Sequence, residues 1–178
     1  MAQLFVHSLT LMLALGISTA QAQTETPTLT PSDAQIAKIL DVANKGEIKA
    51  AKEAKSSASN NDVKQFAEQM ITDHTAMEDS NKALAKKLRI NPQESATSRE
   101  LETEANNTLK GLKTLKGAEF DKAYMASQVS MHQKVLDTIN NTLLPNAQNP
   151  ELKAMLTEAT PKIQAHLQHA KDLQSRPQ

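Results

Sequence analysis

Glu47, His74, His132 and His166 are the residues of this chain whose types and spacing can do chemistry. Each interrupts an apolar helical stripe once, with one carboxylate and three imidazoles in all. A set of this kind suits a single borderline transition metal, with zinc, copper and iron the leading candidates and nickel also compatible. The same groups can instead pair with one another, since a charge carried into an apolar interior needs a partner. A buried histidine satisfied by a carboxylate or hydroxyl is an ordinary core residue, and a polar seam of such pairs fixes which helix packs against which.

The elements that must position these groups are read from period. Ile36, Leu40, Ala43, Glu47, Ala50 and Ala54 step by four and three, as do Val63, Ala67, Met70, His74, Met77, Asn81, Leu84 and Leu88. A third stripe runs Met125, Val129, His132, Leu136, Ile139, Leu143, and a fourth Leu152, Leu156, Ala159, Ile163, His166, Ala170, Leu173. Spacing of this kind places all four polar groups on helix faces turned to a shared interior. Met70, Met77, Met125 and Met131 lie near the histidines, which suggests a soft copper(I) site, although flexible core filling is the stronger reading of them.

Level along the helices is a further test. Counted from a hairpin turn near Ser59, Glu47 and His74 differ by roughly 5 Å in height. Counted from a turn near Asn146, His132 and His166 differ by about 9 Å. The count disfavours a compact four-ligand site and makes Glu47 with His74 and one further histidine the easier combination. Tyr124 and Gln128 come nearer the level of His166 and are its expected hydrogen-bond partners.

Composition agrees with a helical chain. There are three Phe, one Tyr and no Trp among 178 residues, and no stretch alternates with period two long enough to make a strand. Twenty basic residues balance twenty acidic ones, so neither a nucleic-acid footprint nor a polybasic membrane patch is expected. The absence of cysteine removes thiol nucleophiles, disulfides and a lipidation site.

The chain divides into an export leader over residues 1–22, a linker over 23–31, a helical domain over 32–173 and a tail over 174–178. Leu9 to Ile17 supplies the short apolar core of the leader and Ala20-Gln21-Ala22 its small-x-small cleavage pattern. That run falls short of the roughly 20 residues needed to span a bilayer. Thr30 is the expected N-cap of the first helix, with Pro31 and Asp33 in its first turn, and the helix runs to about Ser57. The second ends near Arg89, before Asn91-Pro92. Thr97 and Glu100 open a shorter helix inside the following connection, with Gly117 as terminator. Glu119 to Leu143 forms the third long helix. Asn149 and Pro150 start the fourth, which is expected to kink at Pro161. His169 and the Lys110 to Lys116 group read as exposed helix-end residues. The predicted fold is all-α, a ferritin-like four-helix bundle whose long crossover connection contains a fifth, shorter helix.

Several segments carry a resemblance. Gly46-Glu47, the VKxFAxxM run from Val63 to Met70, Asp73-His74, the segment FDKAYMASQVSMHQKVL around Tyr124 and His132, and PKIQAHLQHAKDL around His166 resemble an exported bacterial ferritin-like family. It is catalogued as domain of unknown function 4142 and often labelled an outer membrane protein. The resemblance covers roughly Ser32 to Leu173 and implies a ferritin-like fold and a place in the cell envelope. An outer-membrane barrel would need alternating strands of about ten residues, which the sequence does not have. Di-iron members of the ferritin-like fold use Glu-x-x-His motifs. Here Ile71, Val129 and Ile163 stand three residues before the histidines, so oxygen-activating di-iron chemistry is not expected.

The sequence thus points to an exported, non-enzymatic helical-bundle protein of the envelope acting in stress tolerance, with metal binding as a secondary reading. Its partners would be a metal ion and either another envelope protein or a second copy of itself. Two alternatives stand beside it: an interaction module whose polar seam sets helix register, and a metal-dependent enzyme, which would need an open pocket at Glu47 and His74.

Overall fold

The computed structural model describes residues 30–176, and all regular structure among them is helical. Five helices are long: α1 (Asp33–Ser57), α2 (Asn61–Lys87), α3 (Ala96–Leu112), α4 (Gly117–Thr138) and α6 (Pro150–Gln174). A π-helical turn, Ile139–Leu143, and a one-turn helix α5 (Leu144–Asn146) continue α4. No helix among the described residues is long and apolar enough to cross a membrane. The expected leader and nearly all of the expected linker lie outside the described residues.

Capping shifts the expected helix starts. Ser32, not Thr30, caps α1: its hydroxyl accepts from the Gln35 amide, and the Gln35 side chain accepts from the Ser32 amide. Ser95, not Thr97, caps α3 through the same reciprocal arrangement with Ser98. In both cases a serine and the polar side chain three residues on close the cap reciprocally. α2 ends in left-handed Arg89 (φ 55°), where the Ile90 amide reaches back to the Ala85 carbonyl. α3 stops at Leu112, and Gly117 (φ 59°) begins α4 instead of terminating the helix before it. Pro145 sits at the start of α5 and the turn falls after it, while α6 continues through Pro161.

α1 packs on α2 and on α3, α4 on α6, α2 on α6, and α1 on α4. Two carboxylates set the directions. Buried Asp121, in the first turns of α4, accepts from the Ser59 hydroxyl and from the amides of Ser59 (3.0 Å) and Asn60 (2.8 Å) in the α1–α2 turn. Asp33, in the first turn of α1, accepts from the amides of Gln148 (2.8 Å) and Asn149 (3.0 Å) in the turn before α6. α1 and α4 are therefore antiparallel. An ion pair between Lys87 and Glu151 brings the end of α2 to the start of α6, so these two are antiparallel as well. The chain must then travel back along the molecule between α2 and α4, and the 17 residues of α3 cover ~25 Å of that path. α3 lies close on α1, where a Cβ on Gly46 would stand 3.0 Å from that of Ala105.

The apolar interior is split in two. One cluster gathers Ala54, Phe66, Met70, Phe120, Tyr124 and Leu173, and the other Ile36, Leu101, Leu136, Ile139, Leu152 and Leu156. Between them in sequence on α1, α2, α4 and α6 come buried polar residues: Asn44 and Glu47 on α1, His74, Glu78 and Asn81 on α2, Gln128 and His132 on α4, and His166 on α6.

Candidate metal centre

The three histidines meet. One ring nitrogen from each of His74, His132 and His166 lies within 4.8 Å of the others, and the ring centroids are 5.4 to 5.6 Å apart. All three side chains are buried. The 9 Å mismatch expected between His132 and His166 is absent because the turn lies at residues 147–149 instead of near Asn146. The two residues are then about 16 and 18 positions from it, a difference of ~3 Å in height.

Each ring is oriented through its other nitrogen. His132 Nδ1 donates to the Gln128 carbonyl at 2.9 Å, and His166 Nε2 to the Asp73 carboxylate at 2.9 Å. His74 Nδ1 donates to Asn44 Oδ1, also at 2.9 Å. These partner oxygens only accept, so each ring carries its hydrogen on the bonded nitrogen. The remaining atoms, His74 Nε2, His132 Nε2 and His166 Nδ1, carry lone pairs, are buried, and have no hydrogen-bond partner. They are also the nitrogens free to converge.

Electrostatics keep His74 and His166 in this state. Burial pushes His74 well below the usual histidine range, and the neighbouring His132 and His166 add to the shift. Burial also lowers His166, against the opposing hydrogen bond from Asp73. For Asp73 burial acts upward, but the hydrogen bonds from His166 and Lys162 outweigh it and hold the carboxyl below its ordinary value. Neutral imidazoles beside a second-sphere carboxylate are the form in which histidine binds a metal.

Glu47 takes a different place from the one expected. It is buried, but it is not in the converging group; its Oε2 accepts from Gln128 Nε2 at 2.8 Å. Its expected partner His74 bonds Asn44 instead, and Gln128 therefore serves Glu47 and His132, not His166. Tyr124 does not reach His166 either: its hydroxyl is buried without a partner, and burial together with the Glu47 charge raises it well above the usual phenol range. His169 is half-buried with its ring edge-on to Phe66 at 5.2 Å, not an exposed helix-end residue.

Sequence reasoning missed Asn44 and the role of Asp73. Asn44 stands three residues before Glu47, on the same face of α1, and Asp73 immediately precedes His74; both spacings were signals. A cleft of about 320 Å³ lies alongside, with Glu47, His74 and His132 in its wall and the exposed residues Ser80, Glu158 and Lys162 at its mouth.

The model of the family described as Domain of unknown function (DUF4142) matches residues 18–173. The chain belongs to this family. The match takes in all four polar stripes and starts upstream of the described residues. No curated protein and no solved structure matches the chain.

Proposed function

We propose that this DUF4142 protein binds one transition-metal ion through His74, His132 and His166, and that it does so as an exported, non-catalytic protein of the cell envelope. The observation that carries the reading is the set of three buried, converging lone pairs, each on a ring whose tautomer is fixed from behind. Three neutral acceptors facing one another repel, and only a proton donor or a cation relieves them. Around a tetrahedral ion with bonds near 2.1 Å the nitrogens would stand ~3.4 Å apart, a contraction of up to about 1.4 Å from the present outer limit. Small ring and helix adjustments supply that. The donor set of three imidazole nitrogens fits zinc, copper(II) or cobalt(II).

The overall arrangement supports a ferritin-like four-helix bundle. Its basis is the pairing of α1 with α2 and α4 with α6, their antiparallel neighbours, and α3 carried in the long connection. The leader pattern of residues 1–22 supports export.

Titration of the purified, untagged protein with zinc and cobalt tests the centre directly. Uptake of one ion per chain, lost on His132→Ala, is the expected result. Equal affinity in wild type and His132→Ala would overturn it and favour a seam that only sets helix register.

A further inference from the structure

Two polar regions adjoin the triad. In one, Asp73 backs His166 and pairs with Lys162 at 3.2 Å, at the edge of the cleft. The cleft side is open, and it brings Glu47, His74 and His132 to the same space as a largely apolar wall that includes Leu40, Met77, Met155 and Ala159. Its volume of about 320 Å³ is at the lower end of sites that hold small organic molecules. Three protein ligands leave a fourth position on a tetrahedral ion, and the only charged side chain in the inner wall, Glu47, is already engaged by Gln128 at 2.8 Å.

Charge indicates what would enter. A divalent ion on three neutral imidazoles contributes two positive charges; Glu47 offsets one, Asp73 and Lys162 cancel each other as an ion pair, and Glu158, exposed like Lys162 at the mouth, faces solvent. One positive charge remains at the floor of an apolar cleft. A neutral apolar molecule would leave it uncompensated, and a dianion would overshoot it while desolvating a second charge.

We infer that the cleft beside the histidine triad binds a small organic monoanion, whose oxyanion head takes the exchangeable position on the metal and whose aliphatic body lies against Met77, Met155 and Ala159. The inference rests on the metal reading above. Methionine side chains suit such a wall because they adapt to chains of differing shape. Glu47 here is a wall residue that sets the charge of the cleft, not a ligand.

The test uses the cobalt(II)-loaded protein, whose visible bands report coordination, titrated with acetate and with hexanoate. Hexanoate is expected to shift the bands saturably and to bind about tenfold or more tighter than acetate, the gain from burying roughly two methylenes. Ala159→Phe inside the cleft and Ser80→Trp at its exposed mouth should each keep cobalt uptake and lose the hexanoate response. Bands that respond to neither anion, or to both with equal affinity, overturn the proposal. So does a response that appears only in Glu47→Gln, because Glu47 would then be the fourth ligand. Failure to take up cobalt at all would instead overturn the metal centre itself.

Discussion

His74, His132 and His166 on one side, and Glu47 with Gln128 on the other, are two parts of one buried polar layer, yet they differ in how their hydrogen bonds close. The carboxylate has a donor from within the fold, 2.8 Å away. The histidines have donors and acceptors matched at their backs and nothing at their fronts. Burial is nearly the same in both, so burial does not separate a structural polar group from a ligand. What separates them is convergence: the three open histidine nitrogens face one another, whereas the open acceptor of the other part, Gln128 Oε1, stands outside that group.

The largest effect that would break this comparison is on metal affinity. Alanine at any of the three histidines should weaken binding by more than ~100-fold, whereas Glu47→Gln should change it less than about tenfold, as read by competition with a chromophoric chelator. Equal losses at Glu47 and the histidines would merge the two parts into one site. Next in size are the groups behind the rings. Asp73→Asn and Asn44→Ala should each cost about 10- to 100-fold in affinity while leaving one ion bound per chain, the usual weight of a second-sphere partner.

Stability of the metal-free protein should separate the two parts in the opposite sense. Glu47→Leu leaves the Gln128 amide without its acceptor and should destabilise by about 1–3 kcal/mol in urea unfolding. His132→Leu removes an unpartnered acceptor, while the Gln128 carbonyl keeps its place in the α4 ladder. It should be neutral or stabilising by up to about 1 kcal/mol. A smaller effect follows from pH. His74 and His166 have folded pKa values depressed below the unfolded value, so the unfolded chain binds more protons as pH falls below about 6.5. Metal-free protein should therefore lose stability from neutrality downward through that range. Asp73 is depressed from its own ordinary value, so its contribution is lost only at far lower pH. A midpoint of thermal unfolding that rises on acidification from pH 7 to 5.5 would contradict this.

Much of this was legible in the residues themselves. The four stripes brought Glu47, His74, His132 and His166 inward because a period of 3.6 is fixed by backbone geometry and needs no tertiary information. Agreement in level was not legible, since it depends on where the second turn falls. Pro145, a residue that suits a first helical turn, was absorbed into α5 and the turn moved to residues 147–149. The partners were not legible either. Nothing in spacing says that Gln128 would turn its amide to Glu47 while its main chain receives His132, because that choice belongs to the packing of α1 on α4. The caps were not legible from spacing, because Thr30 with Asp33 and Thr97 with Glu100 have the same three-residue separation as Ser32 with Gln35 and Ser95 with Ser98, and only the serine pairs close.

Asp33 and Asp121 carry one more consequence. Each lies at the start of a helix in one half of the molecule and closes a turn belonging to the other half. A protease cut in the segment between Leu112 and Gly117 would thus yield fragments that are not self-sufficient. Each would hold a carboxylate whose amides reside on its counterpart, and each would expose a loop it cannot satisfy alone. Such a nicked chain should stay associated through gel filtration and come apart only in denaturant.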